Sequence, residues 1–227
     1  MAVYPVRVEG ELSPPLSRWL WLVKWFLLIP HIVILVFLWL AFLLTTIGAF
    51  FALLFTGRYP RGIFDFNLGV LRWTWRVAFY SYSALATDRY PPFSLSEEPD
   101  YPARLGIGYP EWQRKGFPLI GWWLLGIPQY GLASIFAGAG VGWAWQYGYG
   151  GVVDVLMVVV ALLLLFKNTY REDVFGVVMG FDRWVARVVA YAAFMTPQYP
   201  PFRFDSGPRE PTAAPLPPPG STPPTAA

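Results

Sequence analysis

From Trp25 to Phe55 the chain sets thirty-one residues in a row without a charged side chain. One helix of that length would span about 46 Å at about 1.5 Å per residue. A hydrocarbon core is about 30 Å thick, so the run is too long for one straight crossing and too short for two standard ones. Before it, Val6 and Val8 alternate with Arg7 and Glu9, the period of a short strand, and Gly10 and Pro14-Pro15 end it. After it, residues 62–86 take a helical period, with Asp65, Gly69, Arg72, Arg76 and Ser83 on one stripe and apolar or aromatic side chains elsewhere.

The same order of patterns then returns. Tyr4-Pro5-Val6-Arg7-Val8 recurs as Tyr101-Pro102-Ala103-Arg104-Leu105, and Trp25 through Pro30-His31 as Trp123 through Pro128-Gln129. Gly69, Arg72, Trp73, Arg76 and Tyr80 recur as Gly180, Arg183, Trp184, Arg187 and Tyr191; Tyr90-Pro91-Pro92-Phe93 recurs as Tyr199-Pro200-Pro201-Phe202. Four anchors in one order mean an internal duplication. The Ile-Pro anchors lie 98 residues apart and those from Phe55 to Tyr80 111 apart, so the second copy carries a 13-residue insertion around the glycine-rich stretch 138–151. Insertions of that size belong in exposed loops. Each copy therefore reads as a hydrophobic hairpin, about 16–43 with 47–56 and about 117–137 with 152–166, the first copy turning near Thr45-Thr46-Ile47-Gly48. A third, arginine-bearing helix follows in each, at about 62–86 and about 173–195.

The expected architecture is an all-α integral membrane protein of two tandem repeats, residues 1–100 and 101–206. Each holds a short strand, a transmembrane helical hairpin and an amphipathic helix. Eight prolines from Pro208 onward and little apolar bulk predict a disordered tail over 207–227. Composition agrees with the membrane class: 56 % of residues are hydrophobic and only 14 % charged, against about 25 % charged in soluble domains. All 17 Lys and Arg residues fall outside 25–57 and 116–166. With both hairpins crossing and returning and the third helices at the interface, every basic residue shares one face, which the positive-inside rule makes cytoplasmic. That predicts four crossings with both termini inside. Residues 1–18 do not read as a cleavable leader, because Glu9, Glu11, Pro14 and Pro15 precede any apolar run.

The motifs Pro14-Pro15-Leu16-Ser17-Arg18-Trp19-Leu20, Gly57-Arg58-Tyr59-Pro60-Arg61-Gly62, Phe64-Asp65-Phe66-Asn67, Arg72-Trp73-Thr74-Trp75-Arg76 and Asp88-Arg89-Tyr90-Pro91-Pro92-Phe93, with the Tyr4 and Trp25 anchors, give the chain a family likeness. It resembles a bacterial membrane family common in actinobacteria, domain-of-unknown-function family 4389, over about residues 4–206. The resemblance implies a bacterial inner-membrane location and no established activity, so no catalytic residue is carried over. The second copy departs most, with Asn168-Thr169-Tyr170-Arg171 in place of the Gly-Arg-Tyr-Pro sequence and Gln129 in place of His31.

The strongest candidate site is the set Arg72, Arg76, Arg183 and Arg187. Four arginines related by a duplication could meet at a pseudo-twofold interface and hold phosphate bidentately; the plainer role is to fix helix depth beside Trp73, Trp75 and Trp184. Arg58 and Arg61 form a basic turn where an apolar helix ends, suited to an anionic lipid headgroup at about 1 kcal/mol per basic residue, or to setting topology. His31, the single histidine, follows Pro30 and reads as a polar residue that satisfies the kink. Asp154 reads as sitting at the start of its helix, where the dipole favours an acid.

No cysteine is present, and no phosphate loop, dinucleotide fingerprint, nucleophile elbow or metal-ligand spacing appears. No cofactor, no metal and no nucleic acid are expected, the net charge being only +3. The reading is a non-enzymatic accessory or scaffold whose basic face binds anionic lipid or a protein partner, a second copy of the chain included. The alternative is an anion transporter or channel: if the third helices cross, the repeats invert and the arginines lie at membrane depth.

Overall fold

The structure is a computed structural model that describes residues 4–111, 118, 126–137, 151–167 and 170–210. In chain order the described elements are β1 (Val6–Gly10), α1 (Leu20–Thr56), α2 (Arg61–Tyr80), β2 (Ala103–Ile107), α3 (Ile127–Ala137), α4 (Val152–Lys167) and α5 (Glu172–Ala192). The fold is mostly helical with one two-stranded sheet. β1 and β2 pair antiparallel, Val8 opposite Leu105 at the centre of the register.

The first apolar run does not turn. α1 is one helix of 37 residues, about 55 Å long at about 1.5 Å per residue. The expected hairpin at 45–48 is corrected by how its residues pack. Lys24, Leu28, His31, Leu35, Phe42, Ala49 and Leu53 are the buried positions of α1, spaced by three, four or seven, so one continuous stripe faces the rest of the chain straight through the expected turn. Thr45 keeps its hydroxyl 2.8 Å from the Ala41 carbonyl and 2.7 Å from Asn67 Oδ1, which holds it in the helix and fastens it to α2. Gly48, open toward Ile63, is an ordinary helical position with no positive φ. The helix stops at Gly57, whose φ of +71° suits a residue without a Cβ and whose N–H donates to the Leu53 carbonyl at 2.9 Å.

In the second copy the described residues of the same stretch form two helices. Pro128 and Gln129 of α3 occupy the places of Pro30 and His31, and α4 repeats the second part of α1: buried Val153, Val160 and Leu164 stand where Phe42, Ala49 and Leu53 stand in the first. The insertion 138–150 lies outside the described residues.

α2 runs back along α1. Trp39 Nε1 donates to Thr74 Oγ1 at 3.1 Å, Asn67 lies against Thr45 and Thr46, and the Lys24 ammonium sits 4.6 Å from the centre of the Tyr80 ring. α2 and α5 start as expected but end earlier than 86 and 195. The chain leaves them through turns in which Leu85 and Phe194 take positive φ, 50° and 61°. Residues 207–210, expected in the tail, are docked: the Gly10 N–H donates to the Pro208 carbonyl, and Glu210 is buried against Arg187. The rest of the expected tail, with Pro217-Pro218-Pro219, lies outside the described residues.

Candidate functional site

The arginines of the third helices face inward. Arg76, Arg183 and Arg187 are 1–2 % exposed, among the most buried large side chains described, and Arg72 is partly buried. The expected basic side turned toward headgroups is therefore absent on these helices. The reason is that the segment following each helix folds back and presents carbonyls. Arg76 donates to Ser96 O at 2.8 Å and to Ser94 O; Arg183 donates to Asp205 O at 2.7 Å. Arg187 pairs with the carboxylates of Asp205 at 2.6 Å and of Glu210. Burial would raise the Asp205 pKa, but its hydrogen bonds from Arg187 and Arg203 outweigh that and hold it below the ordinary carboxylate value. A guanidinium with five donors can fasten several carbonyls at once, which an ammonium cannot do in a plane.

Other bonds from these helices and their flanks cross between the copies, and they do so reciprocally. Arg72 Nε donates to Leu105 O at 3.0 Å, and its counterpart Arg183 Nε donates to Val8 O at 2.9 Å. The Tyr59 hydroxyl donates to Ala193 O at 3.2 Å, and the Tyr170 hydroxyl to Ala84 O at 2.8 Å. The Tyr4 hydroxyl reaches Gln198 O and the Tyr101 hydroxyl reaches Arg89 O, both at 3.1 Å. Each copy lends its strand and its tyrosines to the other. The duplicated tyrosines at 59 and 170 were legible as an anchor 111 residues apart; their long-range acceptors were not.

His31 and Gln129 are both fully buried and do the same job. Trp73 Nε1 donates to His31 Nδ1 at 3.0 Å; Trp184 Nε1 donates to Gln129 Oε1 at 2.8 Å. Gln129 also donates to Pro200 O at 2.9 Å, while His31 stacks on Phe93 with ring centres 4.0 Å apart. Arg58 and Arg61 behave otherwise. Both are exposed at the end of α1, Arg61 65 % so, with Asp65 one turn along at 3.3 Å and the Tyr109 ring beneath the guanidinium.

Between the copies lies a cavity of about 200 Å³, overwhelmingly apolar in its lining. Its walls include matched positions of α2 and α5, 111 residues apart: Leu71 with Asp182, Thr74 with Val185, Trp75 with Ala186, Ala78 with Val189. Trp39 and Tyr82 add aromatic surface from the first copy; α4 contributes Asp154, at the place where α1 has Leu43. Ser83 Oγ stands 2.6 Å from each oxygen of Asp182. Burial raises the Asp182 pKa to about 7, against the lowering influence of Ser83 and Arg183. Asp154 Oδ2 accepts from the Gly151 N–H at 2.8 Å in the first turn of α4, the place expected for it. No group of three or more His, Cys, Asp or Glu able to hold a metal occurs among the described residues.

A protein family described as "Domain of unknown function (DUF4389)" matches residues 18–94 and 142–203, more than half the chain and one segment in each copy. No curated protein and no solved structure matches it.

Proposed function

We propose that this chain, which belongs to the DUF4389 family, is a non-enzymatic scaffold of the bacterial inner membrane that holds anionic lipid at its exposed basic turn. The observation that carries this is the outer face of α1. It is the one described helix long and apolar enough to cross a membrane, and only 22 % of its apolar window is buried within the chain. Phe26, Phe37, Leu44 and Phe55 are each more than 60 % exposed; in water each would forgo about 1.5–3 kcal/mol of burial. α4 shows Val155, Leu162 and Phe166 in the same way. A membrane removes that cost.

At the end of α1, Arg58 and Arg61 supply two exposed charges at the depth where anionic headgroups would lie. The two ends of the described chain meet through Glu11 and Arg209, which supports both termini on one side of the membrane. The scaffold reading is favoured over anion transport because Arg76, Arg183 and Arg187 already engage internal acceptors.

The test uses the full chain purified with its native lipid and stripped stepwise in detergent, followed by native mass spectrometry. Retained anionic lipid should fall about thirtyfold in affinity in an Arg58→Ala, Arg61→Ala variant, two charges at about 1 kcal/mol each. Release of the protein from membranes by alkaline carbonate would end the membrane reading. Unchanged lipid retention in the variant would end the lipid reading alone.

A further inference from the structure

We infer that the cavity between the two copies is a binding site for a small apolar amine, an ammonium group carried on an aromatic or short aliphatic body. The argument rests on how the pseudo-symmetry is broken there. Four pairs of wall residues come from the same places on α2 and α5, yet the two copies furnish the space differently. The first copy supplies Trp39, Trp75 and Leu71; the second supplies Asp182 in the place of Leu71 and Asp154 in the place of Leu43. Two acids from the second copy and two indoles from the first thus line one apolar space. A neutral apolar guest would find an acid it cannot pair with, and an anion would meet two carboxylates. An ammonium group completes the set, because a carboxylate in an apolar site gains most from a charge-assisted hydrogen bond and an indole face attracts a cation.

The remaining polar groups fit the same guest. Asp182 forms no ion pair among the described residues; its bonded partner there is the Ser83 hydroxyl, which leaves acceptor capacity on both oxygens. Two carboxylates fall short of a metal's ligand set. Size sets the rest. A cavity of about 150 Å³ takes benzene, so a space of about 200 Å³ takes one ring with a two-carbon amine arm.

The probes are 2-phenylethylamine, 2-phenylethanol and 3-phenylpropionate, titrated at pH 7.5 against the full chain in detergent and followed by ligand-observed NMR. The amine should bind saturably, about tenfold tighter than the alcohol, the worth of one charge-assisted hydrogen bond, and the propionate should not bind. Asp182→Asn should bring amine and alcohol to equal affinity, and Ala186→Phe, which fills the space, should remove binding of both. If Asp182→Asn does not fold, Asp182→Leu restores the first copy's own residue and should give the same equality. Absence of saturable amine binding to the wild-type chain overturns the inference. So does equal affinity for amine and alcohol in the wild type, or an amine preference that survives in the Asp182 variants. Lipid retention at Arg58 and Arg61 is a separate readout, so failure here leaves the scaffold reading standing.

Discussion

The two copies solve one packing problem with different chemistry. Arg76 and Arg187 occupy the same place on α2 and α5, and each fastens the segment that follows its helix. In the first copy the fastening is to backbone carbonyls at Ser94 and Ser96; in the second it is to Asp205 and Glu210. The first is a hydrogen-bonded bolt and the second a buried ion cluster. The difference teaches that the duplication preserved positions and geometry while leaving the partner groups free to change. What had to be kept was a long, multi-donor side chain that can reach more than one acceptor at once.

The comparison is broken most severely at these arginines. Arg187→Ala leaves Glu210 buried without a cation and Asp205 with only the half-exposed Arg203, and should cost about 3–5 kcal/mol. Arg76→Ala leaves only neutral carbonyls unpaired and should cost about 1–3 kcal/mol. Urea unfolding of both variants in detergent, compared by midpoint, reads the order directly; equal losses would mean that the ion cluster is no more than a hydrogen-bonded bolt.

The matched glycines come next. A Cβ on Gly69 would lie 2.9 Å from the Leu95 carbonyl oxygen and 2.8 Å from its Cβ, whereas one on Gly180 would meet the outer edge of the Phe204 ring at 2.5 Å. Backbone cannot swing aside and a half-exposed ring can. Gly69→Ala should therefore destabilise by about 1–3 kcal/mol, the cost of overpacking, and Gly180→Ala by less, checked by thermal unfolding of the two alanine variants side by side.

A smaller effect separates Asp182 from Leu71. The folded-state pKa of Asp182 is raised, to about 7, so the folded chain binds a proton that the unfolded chain has released between about pH 4 and 7. Stability from this group is present at the acid end of that window and lost as pH rises through it. Asp182→Leu should consequently gain stability over the wild type at pH 8 relative to pH 5, by on the order of 1 kcal/mol. Asp205 acts in the opposite sense. Its pKa is depressed, so its contribution is present above the ordinary carboxylate range and fades as pH falls further, and Asp205→Asn should flatten the acid limb. Melting temperatures across pH 3–8 distinguish the two.

The smallest effect is expected at His31→Gln, which copies the second repeat's own solution. A glutamine can accept from Trp73 as Gln129 accepts from Trp184, and its amide supplies a donor for the following segment, while the stack on Phe93 is given up. The change should stay within about 1 kcal/mol, whereas Gln129→Ala strands the Trp184 N–H and the Pro200 carbonyl and should cost about 1–3 kcal/mol. Parallel thermal unfolding of the two variants would sharpen the claim that these two residues are equivalent.

Much of this molecule was legible in its residues, and the physical reason is repetition. Anchors 97 and 111 residues apart place β1 with β2 and α2 with α5, and mark Gly69 with Gly180 and Arg76 with Arg187 as pairs. The apolar content of 25–55 required a helix that water alone would not cover. Tertiary structure decided the rest. Whether α1 turns at Thr45 was hidden because nearly every side chain there is apolar, so the stripe that packs is indistinguishable in sequence from the face that does not. The direction of the arginines was hidden too: a basic stripe looks the same whether it meets headgroups or carbonyls, and those carbonyls come from segments 18 or more residues away. The interlocking of the copies and the cavity between them exist only once the strands pair. Local periodicity fixes an element and its faces; what each face meets is a long-range event, set by packing and by the need of each buried donor for an acceptor.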